Sequence, residues 1–242
     1  MIRIICLLIG YVCGLFQTAF IYGKMNGIDI RDYGSHNAGT TNALRVLGTK
    51  AGLIVFFGDV LKCVIAVTIA RFAFGPAHPE MRYLYMIYAA AGVILGHNFP
   101  FYLHFRGGKG IAATAGLILS FHPYFIPVGA VLFFVTFAIT HYVSLGSLLV
   151  YAGFMIELVI LGQMGIFETS QPILNEIYIV GALLTIMAYW KHRENIKRLI
   201  AVFDNEDKPY LTQPNPKYAP AYSDYEHLSR IKEWGANDRH DD

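Results

Sequence analysis

Ile111-Ala-Ala-Thr-Ala-Gly-Leu-Ile-Leu-Ser-Phe121, closed by His122-Pro123, is the stretch on which the fold turns. It is apolar but short against the roughly 20 residues that a membrane-spanning helix needs. A second apolar run, 124–140, follows at once. Two readings fit: one long kinked helix over 111–140, or two helices that turn at His122-Pro123. Further apolar runs lie near 3–23, 51–74, 82–104, 145–163 and 173–190, most of them long enough to span. The charges between the runs decide. With two helices there are seven spans, and the segments 24–50, 105–110, 141–144 and everything after 190 share one side. Through Arg198 that side carries Lys24, Arg31, Arg45, Lys50, Arg106, Lys109, Lys191, Arg193, Lys197 and Arg198, ten basic residues, against Arg3, Arg71 and Arg82 on the other. With one helix the cluster from Lys191 to Arg198 moves outside. Basic loops stay cytoplasmic. The expected fold is therefore all-α and polytopic, with seven transmembrane helices, N-terminus out and C-terminus in. The short helix must be shielded by neighbours, because unpaired backbone cannot face lipid.

Composition agrees with a bilayer as solvent. Of 242 residues, 55% are hydrophobic and only 15% charged, where soluble domains carry about 25% charged residues. A net charge of +2 offers no basis for a nucleic-acid partner, and none is expected. Cys6, Cys13 and Cys63 all sit in apolar runs, without metal or disulfide spacing. The run after Arg3 is too long for a signal-peptide core and lacks a small-residue cleavage site, so it reads as an uncleaved first helix. Gly10-x-x-x-Gly14 and Gly92-x-x-x-Gly96 would permit close helix packing. Residues 1–203 are expected to form the membrane domain and 204–242 a polar cytoplasmic tail. The tail opens with Asp204-Asn-Glu-Asp, holds four prolines, and reads as surface-lying or flexible, with a short amphipathic helix over 223–234.

Three motifs carry chemistry, and all fall on the basic side. The first, residues 34–45, reads Gly-Ser-His-Asn-Ala-Gly-Thr-Thr-Asn-Ala-Leu-Arg. Its glycines let backbone N–H groups approach an anion. Ser35, Thr40, Thr41 and Asn42 would add hydrogen bonds, and Arg45 can grip phosphate bidentately. The second is Gly96-His-Asn-Phe-Pro100 followed by Phe105-Arg-Gly-Gly-Lys-Gly110. It leads directly into a helix, whose positive N-terminus suits an anion. It is not a Walker A loop, which needs four residues between its first glycine and Gly-Lys-Ser/Thr. The third is Lys191-His-Arg-Glu-Asn-Ile-Lys-Arg198, where His192 and Asn195 share a helical face. Tyr142-Val-Ser-Leu-Gly-Ser147 is a further polar turn. Asp59 and Lys62 stand one helical turn apart inside an apolar run; such residues are either functional or a mutual ion pair holding the bundle.

Together these motifs resemble the bacterial acyl-phosphate:glycerol-3-phosphate acyltransferases, the PlsY family, over most of residues 1–200. The family's Ser-Gly-Asn-x-Gly-Ala-Thr-Asn with a following Arg is met at Ser35 to Asn42 and Arg45. Its Gly-His-x-Phe-Pro and Gly-Gly-Lys-Gly are met at Gly96 to Pro100 and Gly107 to Gly110. Its His-Arg-x-Asn-Ile is met at His192 to Ile196. Asp59 and Lys62 match its Asp-x-x-Lys-Gly with Cys63 for the glycine, while His36 and Thr40 replace a glycine and an alanine. His141 stands where a basic residue often precedes Tyr-Val-Ser, and the tail exceeds the usual family length.

The resemblance implies a multi-pass enzyme of the cytoplasmic (inner) membrane, its site facing the cytoplasm, that moves a fatty acyl group from acyl phosphate to the 1-hydroxyl of glycerol 3-phosphate. It implies acyl phosphate, glycerol 3-phosphate and membrane lipid as partners, with no metal or nucleotide cofactor. Lys109, Arg45, His192 and Ser35 are the expected catalytic-site residues. Asn37, Gly39, Thr40, Thr41, Asn42, His97, Gly107, Gly108, Gly110, Ser144 and Asn195 are expected to bind substrate. Whether His192 acts as base or binds substrate stays open. A transporter would bind at midplane between repeats, whereas the polar residues here cluster at one surface and no repeat is visible. Acyl-CoA-dependent acyltransferases carry aspartate five positions after a histidine, which none of the nine histidines has.

Overall fold

A computed structural model of the chain describes residues 1–203; the expected tail, with the helix read at 223–234, lies outside the described residues. Every regular element among the described residues is helical, with no strand. Residues 1–195 form one compact unit. Its helices are α1 (Ile2–Gly14), α2 (Thr18–Met25), α3 (Thr40–Leu47), α4 (Thr49–Ile69), α5 (Arg82–Asn98), α6 (Ile111–Phe121), α7 (Phe125–Thr140), α8 (Val143–Gln163) and α9 (Gln171–Lys191). A further helix, α10 (Arg193–Phe203), follows α9.

Five segments are long and apolar enough to cross a membrane: Ile2–Met25, Thr49–Phe74, Pro79–Leu103, Val143–Gln163 and Gln171–Lys191. Two shorter apolar helices, Ile111–Phe121 and Phe125–Thr140, complete the set. Large apolar side chains such as Val131, Phe134, Ile156 and Leu183 stand on the outside. In water so much exposed apolar surface would be a liability; in lipid it is the solvated face.

The run 111–140 is broken. His122 leaves the helix with extended backbone, φ −156° and ψ 140°, as expected of a residue before proline. Gly129 then packs against Ile118 and Phe125 against Phe121, so α7 runs back along α6. The directions of the other helices follow the same way. Gly10 lies against Gly92 and Gly14 against Gly96, which makes α1 and α5 parallel. Tyr88 bonds Glu176 and Lys191 bonds the Asn98 carbonyl, so α9 is parallel to α5. Tyr189 reaches Leu148 and Gly162 meets Tyr178, so α8 is antiparallel to α9.

The first apolar run is also interrupted, at Leu15–Gln17, into α1 and α2, where the sequence reads as one continuous span. The break is tolerated because its carbonyls have partners. Tyr102 donates to Leu15 O at 2.7 Å and Lys62 to Phe16 O at 2.9 Å. Buried Gln17 donates to the carbonyls of Gly14, Gly96 and His97 at 3.0–3.2 Å.

The core helix is α5, the span with the greatest buried share. The two glycine pairs let α1 touch it backbone to backbone. A Cβ on Gly92 would lie 2.1 Å from Leu7 O, and one on Gly10 2.0 Å from Ala89 O. Gly92→Val should therefore force the helices apart and cost about 1–3 kcal/mol or more, read as a lowered thermal unfolding midpoint in detergent. A change to the same residue type on the exposed face, Leu183→Val, should leave the midpoint nearly unchanged.

Candidate functional site

The three motifs meet at one end of the bundle. The loop from α2 to α3 turns through a 3-10 turn at Ile30–Asp32 and through left-handed backbone at Gly34 (φ 63°) and His36 (φ 57°). Asn42 holds it. The Asn42 oxygen accepts from Ser35 N–H at 2.8 Å, and its amide nitrogen donates to Ile30 O and Tyr33 O, both at 3.0 Å. Asn42, expected to bind substrate, is thus taken up by the loop it belongs to. Thr40 opens α3, and its buried hydroxyl has no hydrogen-bond partner among the described residues. Ser35, Thr41 and Arg45 are exposed, Thr41 and Arg45 on one face of α3. Asn37 and Gly39 lie between them in the loop, Gly39 buried.

In the second motif the expected cradle is corrected. The N–H groups of Gly107 and Gly108 do not face an open anion site. They donate to Asn98 O at 3.3 Å and His97 O at 3.0 Å, stapling the loop to the end of α5. Glycine is needed for that approach: a Cβ on Gly107 would sit 2.0 Å from His97 O, and one on Gly108 2.1 Å from His97 Nε2. What remains for an anion is the start of α6. Gly110 caps it in left-handed conformation, φ 83°, with the first-turn N–H groups beyond. The side-chain amide of Asn98, buried and without a hydrogen-bond partner among the described residues, lies next to Gly110. Nothing in the sequence pattern distinguished Asn98, because its signal is an unfilled hydrogen-bonding capacity that only packing reveals.

Contacts tie the motifs to each other. Lys109 Nζ donates to Asn195 Oδ1 at 2.8 Å, joining the second motif to the third. Lys191 donates to Asn98 O at 3.2 Å and lies 4.7 Å from the centre of the Phe99 ring. Arg31 donates to Leu103 O at 3.3 Å while clasping Asp29 at 2.7 and 2.9 Å. That bond to Arg31 holds the Asp29 carboxyl down at about 2. Buried His97 brings its Nε2 edge against Gly108 beside Ala38 O, where the first two loops meet. Ser144 sits in the first turn of α8 and shares no hydrogen bond with the three motifs among the described residues. A cavity of about 860 Å³ opens here, lined by Arg31, His36, His104, Arg106, Gly107 and Lys191 among others.

His192 is 3% exposed. Its Nδ1 lies 2.8 Å from Ala188 O. A carbonyl only accepts, so Nδ1 carries the hydrogen and Nε2 the lone pair. Burial, with Lys109 and Lys191 nearby, lowers its pKa from 6.5 to about 4, so the ring is neutral at physiological pH.

Fold and site together define an integral membrane protein of helices that gathers cations and helix N-termini at one end, groups that suit an anion. Comparison with known proteins gives the family. The model of the glycerol-3-phosphate acyltransferase family matches residues 4–202, and the chain belongs to that family. A glycerol-3-phosphate acyltransferase of Mycoplasmopsis synoviae (strain 53) is 36% identical over 222 residues, covering 86% of this chain and 95% of the relative. The crystal structure of PlsY (YgiH), an integral membrane glycerol 3-phosphate acyltransferase, in its glycerol 3-phosphate form superposes with a TM-score of 0.71 at 28% identity, covering 83% of this chain and 92% of that one. Its lysophosphatidic acid form gives a TM-score of 0.69 at 27% identity, with the same coverage.

His192 sets a stability window. Its pKa is depressed in the fold, so the unfolded chain binds the extra proton between pH 6.5 and about 4. Its contribution is whole above pH 6.5 and is lost as pH falls towards 4. The acid-side drop in unfolding midpoint over that window should be smaller in His192→Asn than in the wild type.

Proposed function

We propose that the protein transfers a fatty acyl group from acyl phosphate to the 1-hydroxyl of glycerol 3-phosphate, releasing lysophosphatidic acid and phosphate. The observation that carries this reading is the union of three phosphate-type motifs around the end of α5, joined by the Lys109–Asn195 bond, in a chain of this family. Both substrates carry phosphate, so the site needs cations and N–H donors more than acids. Lys109, the start of α6, Arg45 and Ser35 hold the phosphates and stabilise the charge of the tetrahedral transition state. Asn195 orients Lys109. The remaining residues of the first loop, Asn37, Gly39, Thr40 and Thr41, with Ser144, complete substrate binding. Acyl phosphate brings its own leaving group, so the glycerol hydroxyl attacks directly, and a substrate phosphate takes its proton. His192, neutral with a lone pair on Nε2, serves as an acceptor that positions the glycerol rather than as a strong base. Aligning the two substrates removes much of the entropic barrier.

The reading includes a topology of seven spans, N-terminus outside and C-terminus inside, with the site facing the cytoplasm. It is supported by the parallel run of α5 and α9 with α8 antiparallel to α9, by the break at His122, and by ten basic residues on the loop side.

Two measurements test it. Purified protein should acylate glycerol 3-phosphate from acyl phosphate and not from acyl-CoA, and Lys109→Ala should lower the rate about 100-fold; equal use of acyl-CoA would sink the donor assignment. In a cysteine-free background, Tyr124→Cys should react with an impermeant thiol reagent from the outside only, and labelling from the cytoplasmic side would reverse the path of α6.

A further inference from the structure

Asp59 and Lys62 of α4 take no part in the mechanism above, yet they form a deeply buried ion pair, 1% and 5% exposed respectively, at 2.7 Å. Lys62 Nζ makes three bonds: to Asp59 Oδ1 at 2.7 Å, to Phe16 O at 2.9 Å and to His97 Nδ1 at 2.8 Å. An ammonium has three hydrogens and no lone pair, so every donor is used and each partner must accept. His97 Nδ1 is one of those acceptors, which leaves the ring hydrogen on Nε2. Asp59 Oδ1 also receives the Thr18 hydroxyl at 3.0 Å, which holds the carboxylate in place. The Nε2 edge faces the loops: the point 2.1 Å from Nε2 at Gly108 is also 2.9 Å from Ala38 O. A pair that only stapled helices would need the Phe16 carbonyl but not the third bond to a ring whose far side meets two functional loops.

We propose that Asp59 and Lys62 are positioning residues for the acyl-transfer site. They lock His97 in its Nε2–H form, so one fixed donor stands where the 34–39 and 105–110 loops meet. The catalytic meaning of that place rests on the proposed function; the tautomer does not.

The test uses full-length protein in lipid vesicles, labelled with 15N-histidine, with the His97 signals assigned by difference against His97→Gln. The wild type should show a protonated Nε2 and a bare Nδ1. Asp59→Leu with Lys62→Met removes both charges together, and buried ion pairs replaced by apolar residues commonly keep their stability. That double variant should unfold at a similar temperature, lose the uniform Nε2–H signature, and fall about tenfold or more in kcat/KM for glycerol 3-phosphate. A wild-type His97 with its hydrogen on Nδ1 overturns the proposal, whether or not the double variant folds. So does a folded double variant that keeps the Nε2 hydrogen, or one whose kcat/KM stays within about twofold of wild type. Absence of any acyl transfer by the wild type counts against the proposed function instead, and the tautomer measurement then decides the positioning claim.

Discussion

The last carbonyls of α5 need donors, and the site is built by the groups that supply them. A helix leaves its final C=O groups unpaired, and where its last residues are buried, as His97 and Asn98 are, those groups need partners. Here Gly96 O and His97 O receive Gln17 from the α1–α2 break. His97 O and Asn98 O also receive the N–H groups of Gly108 and Gly107. Asn98 O takes Lys191 from the end of α9 as well, and Phe99 O takes the Tyr11 hydroxyl. One requirement of backbone chemistry thus pulls the first helix, the glycine loop and the end of the last span to a single place. The glycine seam of α1 and α5 makes this possible, since only backbone contact brings Gln17 and Tyr11 within reach.

The same requirement explains what could be read in the sequence and what could not. Apolar runs, basic loops and motif order are one-dimensional properties, so the helices and the gathering of motifs were legible. The break at His122-Pro123 was legible as one of two readings because proline constrains the residue before it. The interruption at Leu15–Gln17 was not, because nothing in an apolar run announces that Lys62 and Tyr102 will arrive from other helices to bond its carbonyls. At the site, residue types were legible and atom assignments were not. Gly107 and Gly108 look like an anion cradle, and a cradle and a close-packed staple call for the same residue. Only the partners of their N–H groups separate the two. Asn42 looks like a ligand for the same reason, until both ends of its amide are found occupied within the loop.

The two buried histidines carry the argument one step further. Both lie in motifs, and both have a partner on Nδ1, but the partners have opposite character. Lys62 can only donate to His97, while Ala188 O can only accept from His192. The Nε2 edge of one ring is therefore a donor and the Nε2 edge of the other an acceptor, each fixed by a neighbour outside the motif that names it. A donor suits a phosphate oxygen and an acceptor suits a hydroxyl, which is the pair of groups that glycerol 3-phosphate offers. The hydrogen-bonding character of the two rings is set by α4 and by the last turn of α9, not by the loops in which the motifs are written.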